Sequence, residues 1–227
     1  MRNRTKESGD DLAIDLRESV HAVGAPRIEM FADVTCPFAY FGLRRLIEAR
    51  DARGSDVTIR VRAWPLEWIN GRQLAPDLVA SEIVALRASI APQLFVGFDA
   101  ARFPTTSIGA LGLVAAAYRL DARSGEQLSV RVREALFEEG RDLTDDAELR
   151  AIGRPFGVEP LSVRAAEAAV RADWERGRAR GVRGSPHFFS GHRSWFCPSL
   201  RVRHDGPDLD ITVDPVALEH FLAAALG

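Results

Sequence analysis

Cysteine is scarce in this chain of 227 residues: Cys36 and Cys197 are the whole supply. Two thiols exclude a multi-disulfide scaffold and a four-cysteine zinc site. Lysine occurs once, at Lys6, so arginine carries the positive charge, and there is no excess of it. The 30 Lys+Arg against 32 Asp+Glu leave a formal charge of −2. That gives no drive toward phosphate backbones and speaks against nucleic acid as a partner. No apolar run approaches the roughly 18–20 residues of a membrane span. The polar start, MRNRTKESGDDLAIDLRESV, lacks the apolar core of a secretory leader. The expectation is a cytoplasmic protein without a membrane partner, in a compartment that keeps thiols reduced. The histidines, His21, His187, His192, His204 and His220, show no metal-ligand spacing, and no glycine-rich phosphate loop appears.

What is present is an ordinary globular composition, 46% hydrophobic and 27% charged, long enough for one large domain or two small ones. Residues 1–26 read as a polar N-terminal arm, or as a short docked helix through Leu12, Leu16 and Val20. Arg27–Val34 is apolar on both faces, as a central strand covered on both sides would be. Pro37 at a first helical position opens a helix to about Ala52, with Tyr40, Leu43, Leu46 and Ile47 on its buried stripe. Val57–Trp64 alternates strictly, with arginines on one face, which suits an edge strand. Residues 69–180 hold five helical segments: Pro76–Ile90, Thr106–Leu120, Ser124–Glu139, Asp145–Phe156 and Pro160–Arg180. Ser124 and Gln127 have the spacing of a capping box. Gly109 and Gly112 mark a helix-packing contact. Strands return at Pro186–Ser190 and Ser194–Cys197 as a hairpin, and at Leu200–Arg203 and Leu209–Val213 as a second one. Asp214 and Pro215 start a last helix. The order β-α-β, helical insertion, hairpin, helix is an α/β thioredoxin-like fold, formed by 27–68 and 181–227, with an all-helical subdomain inserted at 69–180.

Cys36 is the sharpest chemical feature. A thiol at a strand-to-helix turn faces the orphan N–H groups of the helix start, which favour the thiolate; the plain alternative is a buried, inert cysteine. Pro186, at the start of a strand after Gly181-Val182-Arg183-Gly184-Ser185, is a candidate cis proline. Asp33, three residues before Cys36, is a candidate proton shuttle or a cap for nearby backbone N–H groups, and His187, just after Pro186, is a candidate shuttle if its ring faces the thiol, while alternation along the strand allows it to face away. Trp64, Trp68, Phe95, Phe98 and Phe103 either line an apolar pocket above Cys36 or form ordinary core. If Ser190-Gly191-His192-Arg193 closes the first hairpin, His187 pairs with Phe196 and Cys197 falls opposite Pro186. That register leaves Cys197 near the Cys36 end of the sheet but too far away for a standing disulfide.

The segment Phe31-Ala32-Asp33-Val34-Thr35-Cys36-Pro37-Phe38-Ala39 resembles the active-site segment of DsbA-like thioredoxin-fold oxidoreductases. Trp64-Pro65-Leu66 resembles the end of their second strand. Phe103-Pro104-Thr105-Thr106 and Ala135–Leu143 resemble their helical insertion, and Gly181–Pro186 their cis-proline loop. The resemblance implies that Cys36 is catalytic. It also implies that Pro37, Phe38, Ser185 and Pro186 bind the substrate or thiol, with Ser185 offering its backbone. Ala39 stands where the family carries its second cysteine, so an internal disulfide within this motif is impossible. The chain is also similar to kappa-class glutathione transferases and 2-hydroxychromene-2-carboxylate isomerases, which implies activation of a small bound thiol. The expectation is a monothiol thiol-disulfide oxidoreductase. Two alternatives stand beside it: a small-thiol-activating enzyme of that second kind, and a non-catalytic binding protein on the same fold. The implied partners are a low-molecular-weight thiol such as glutathione or mycothiol, or its disulfide, and protein thiols, with no tightly bound cofactor and no metal.

Overall fold

The computed structural model describes residues 28–198, 200–205 and 208–226; the arm expected at 1–26 lies outside them. Strand β1 (Ile28–Ala32) is buried at every position. It pairs in parallel with β2 (Ile59–Ala63) and antiparallel with β3 (His187–Ser190), which continues into β4 (Arg193–Phe196). The four-stranded order is β2-β1-β3-β4, so β2 is an edge, as its alternation suggests. Strands β5 (Leu200–Asp205) and β6 (Asp208–Val213) form a separate two-stranded sheet.

Helix α1 (Pro37–Ala52) opens with Pro37 in its first turn and covers one face of the main sheet. A Cβ added at Gly42 of α1 would lie 3.3 Å from the Phe188 ring, which shows how closely the helix sits on β3. A short α2 (Leu66–Asn70) follows β2. Then come α3 (Pro76–Ser89), α4 (Ile108–Leu120), α5 (Ala122–Phe137), α6 (Asp146–Gly153) and α7 (Val163–Ala179), and α8 (Pro215–Leu226) ends the chain. The helix start at Ser124 is corrected: Asp121 caps α5, its carboxylate accepting from Ser124 N at 2.8 Å. An acidic residue three positions earlier binds the backbone better than the hydroxyl, so Ser124 falls inside the first turn. Gly112 touches α7, where a Cβ would come within 2.6 Å of the Ala166 Cβ, so only glycine permits the α4–α7 approach.

The inserted helices also close the open edge of β2. Tyr118 of α4 accepts from Val61 N at 2.8 Å and donates to Ile59 O at 3.2 Å. Asp173 of α7 accepts from Ala63 N at 3.1 Å. An edge strand left unpaired would expose these groups. The arginine face of β2 is correspondingly not a solvent face. Arg62 is 9% exposed and pairs with Glu29 and Asp173, while Glu29 also pairs with Arg180. The main apolar core lies on the α1 side, and a smaller cluster of Phe31, Trp64 and Phe189 lies under α7. These elements make a thioredoxin-like α/β fold carrying a helical insertion.

Candidate active site

The C-terminal end of β1 runs through Asp33, Val34 and Thr35 into Cys36, the N-cap of α1. Cys36 has extended backbone and makes no side-chain cap bond, so its sulfur is not spent on the helix start. Its S–H donates to the Ser185 carbonyl at 3.3 Å. The Ser185–Pro186 peptide is cis. Ser185 Oγ accepts from Asp33 N at 2.9 Å, so the loop before β3 and the end of β1 are tied together beside the thiol. Pro186 and Phe188 face Gly42 of α1. Pro37 and Phe38 are both buried in the first turn of α1, and Ala39 is fully buried.

A thiolate favoured by the helix start is corrected for the resting protein. Cys36 is only 3% exposed. Burial, with a smaller push from Glu82, drives its thiol up to about 12, against the opposing pull of the Ser185 side chain and the Ala39 N–H. Desolvation outweighs the helix terminus because a half-charge at a helix end is worth roughly 1 kcal/mol, whereas burying an anion costs several.

The two candidate proton shuttles separate. His187 is corrected: successive strand residues alternate faces, so with Pro186 and Phe188 on the α1 side, His187 lies with Phe189 on the other. Its ring packs between Phe189 and Phe196, and its Nδ1 accepts from Arg183 N at 3.1 Å. Burial and the nearby Arg183 and Arg180 lower its pKa to about 4. It is a neutral core histidine. Asp33 is fully buried beneath the turn, and four donors take its carboxylate: Thr35 N, Thr35 Oγ1, Leu66 N and Ser107 Oγ. Burial raises its pKa while these bonds oppose the rise. None of its bonds is to the sulfur, so it acts as a junction joining β1, α1, α2 and α4.

The aromatic grouping divides as well. Phe95 and Phe98 pack with Phe137, Phe95 against Tyr40 and Phe98 against Phe103. Trp64 packs on Phe31, and Trp68 on Trp174, beside α7. They are core on two sides of the molecule rather than one pocket wall. A cavity of about 700 Å³ lies at the other end of the sheet, near Arg50, Thr58 and Glu126, away from Cys36.

Cys197 stands where the hairpin register puts it. His187 pairs with Phe196, and Cys197 N donates to Pro186 O at 3.0 Å. Both thiols are free. Three further residues around the site carry no local sequence signal. Glu82 of α3 is raised to about 7 by burial. Glu67 accepts from Ser107 N and Thr106 Oγ1. Arg133 of α5 is fully buried and donates to Asp33 O at 3.1 Å. Among the described residues no group of three or more His, Cys, Asp or Glu forms a metal site, and no helix is long and apolar enough to cross a membrane.

The family model of the DSBA-like thioredoxin domain matches residues 27–202. No curated protein matches the chain. Among solved structures, a probable DsbA oxidoreductase from Streptomyces coelicolor is similar at 20% identity and TM-score 0.55, over 74% of this chain and 82% of that one. The cytosolic disulfide reductase DsbM from Pseudomonas aeruginosa, solved with GSH, is similar at 18% identity and TM-score 0.55, over 74% and 87%. A 2-hydroxychromene-2-carboxylate isomerase is similar at 17% identity and TM-score 0.50, over the same shares. At these identities the structural likeness carries the fold.

Proposed function

This chain belongs to the DSBA-like thioredoxin-domain family, and on that premise we propose that it is a cytoplasmic thiol-disulfide oxidoreductase working through Cys36 as a monothiol. The observation that carries this reading is the position of Cys36: a thiol at the start of α1, against the Ser185–Pro186 backbone, with Ala39 in place of a second motif cysteine. The substrate is a low-molecular-weight disulfide and its thiol, of the glutathione or mycothiol kind. The Cys36 thiolate attacks one sulfur of RS–SR, forming Cys36–S–S–R and releasing RS⁻. A second small thiolate then attacks the R sulfur, giving a new disulfide and returning Cys36 as thiolate. When the S–H proton leaves, the Ser185 carbonyl loses its donor and becomes free to accept an N–H from the substrate backbone. The Ser185 side chain and the Ala39 N–H favour the anion that forms.

One observation favours a second reading. The buried Cys36 thiol donates its S–H to the Ser185 carbonyl in the resting protein, with burial opposing loss of that proton. In that reading Cys36 donates its hydrogen bond to the sulfur of a bound small thiol, which is itself the nucleophile toward an electrophile. Cys36→Ser separates the two. Assayed with a small mixed disulfide and a thiol reductant, the oxidoreductase reading expects Cys36→Ser and Cys36→Ala to be equally inactive. If the serine variant keeps most of a thiol-dependent activity that the alanine variant loses, the second reading holds.

A further inference from the structure

The main sheet has two edges, and they are finished differently. At β2 the outward backbone groups are taken by Tyr118 and Asp173. The other edge is β4, and its hairpin register fixes which of its groups point outward. Cys197 N donates to Pro186 O at 3.0 Å across the hairpin. Along an antiparallel strand, successive residues turn both backbone groups first to one side and then to the other. Arg193, Trp195 and Cys197 therefore face β3, and Ser194 and Phe196 turn N–H and C=O away from it. Among the described residues nothing bonds to these four outward groups.

Natural proteins keep a free edge solitary with prolines, bulges, lysines or shortness. Strand β4 is short, but it holds no proline or lysine, and no bulge interrupts its pairing with β3. The edge is also self-complementary. With a second copy turned antiparallel about an axis through Trp195, Ser194 falls opposite Phe196 of the partner subunit, and Phe196 opposite Ser194 of the partner subunit. All four outward groups are then used, each pair exchanging two hydrogen bonds. Trp195 meets its own copy as a closely spaced pair, roughly 4.5 Å between Cα atoms, which suits an aromatic cross-strand contact. Arg193 falls opposite Cys197 and not opposite itself, so no like charges are opposed. Slipping the register by one residue sets groups already bonded to β3 against the outward ones and forfeits the match. The side chains agree. Phe196 is 43% exposed, with its ring on Gly184 and Arg183 over it. On the other face, Trp195 packs on Phe221 of α8 and is half-buried.

We infer that β4 is a self-association edge, at which two copies of this chain pair antiparallel through Ser194 and Phe196 and join their main sheets into one. Because Phe196 lies on Gly184, directly before Ser185–Pro186, the two Cys36 sites flank the shared strands. The inference stands on backbone register and does not depend on the chemistry of Cys36.

The test is sedimentation analysis of the full chain, in reducing buffer, across the micromolar range. The parent is expected to dimerise. Ser194→Pro removes a donor that the hairpin does not use, so the fold is kept while both symmetric bonds are lost. Its dimer dissociation constant is expected to rise on the order of 10²-fold. Should Ser194→Pro fail to fold, hydrogen exchange of the parent decides. The Ser194 and Phe196 amides are expected to be protected in the dimer and to lose that protection as dilution gives monomer. Three results overturn the inference. One is a parent that stays monomeric throughout. Another is a dimer that Ser194→Pro leaves intact, or in which the two amides exchange freely, either of which places the interface elsewhere. The third is a monomer with both amides protected, which assigns the edge to another segment of the same chain.

Discussion

Cys36 and Cys197 stand on either side of the Ser185–Pro186 backbone, one bonded to the Ser185 carbonyl and the other, through its N–H, to the Pro186 carbonyl. Burial pushes both thiols up to about 12. Their surroundings differ. Around Cys36 stand groups that answer to its charge: the Ser185 side chain, the Ala39 N–H and Glu82. For Cys197, burial is the whole cause. The comparison teaches that two sulfurs of the same resting acidity can stand in different surroundings. What distinguishes them is the set of donors and charges able to meet an anion once it forms.

The largest expected effect breaks the comparison outright. Cys36→Ala should lower turnover of a small disulfide by on the order of 10³-fold or more, the scale of removing a nucleophile, while Cys197→Ala stays within about twofold. Comparable losses in both variants, measured by coupled reductase assay, would make the two cysteines partners and return dithiol chemistry.

A second effect falls on stability. Asp33→Ala leaves Thr35 N, Thr35 Oγ1 and Leu66 N without their acceptor, two of them backbone N–H groups, while Ser107 Oγ keeps Glu67 Oε1, and each unpaired buried group costs about 1–3 kcal/mol. A loss of at least about 3 kcal/mol is expected in urea unfolding. Cys197→Ala, which removes only a half-buried sulfur, should cost about 1 kcal/mol or less.

The smallest effect sharpens the contrast. Glu82→Gln removes a charge that opposes a thiolate at Cys36 and does not act on Cys197. Its expected outcome is an alkylation profile for Cys36 moved to lower pH, by less than about one unit, with the Cys197 profile unmoved. The same carboxyl is raised from 4.5 to about 7 in the folded protein. Such a raised carboxyl stabilises the fold below its ordinary pKa, and that contribution is lost as pH rises through about 7. Glu82→Gln should flatten the fall in stability between these values. A profile of the same steepness would place the titrating group elsewhere.

Much of this site lay within reach of local pattern. Prolines and turn residues set the starts of α1 and α8, strict alternation put β2 at an edge, and a four-residue turn gave the β3–β4 register that brings Cys197 opposite Pro186. Alternation along β3 carried the correct face of His187 too, because Pro186 and Phe188 share the α1 side. The remainder depended on residues far apart in sequence. Asp33 stood out as an acid at the end of an apolar strand, but its partners Leu66 and Ser107 are fixed only when α2 and α4 close over it. The dominance of burial over the helix terminus at Cys36 depends on how tightly that covering packs. Arg133 gave the weakest signal of all. It sits beside the apolar stripe of α5, and four residues before it Ser129, small and also fully buried, widens the inward face enough to hold a guanidinium. In the sequence that pattern reads as an ordinary amphipathic helix.

The central claim is that one sulfur, Cys36, forms the mixed disulfide and that Cys197 takes no part. Intact-mass and peptide-map spectrometry of the protein equilibrated with a small disulfide such as oxidised glutathione tests it most directly. The expected result is a single thiol adduct mapped to Cys36, reversed by excess thiol, with Cys197 unmodified. A Cys36–Cys197 disulfide, or an adduct confined to Cys197, would contradict it.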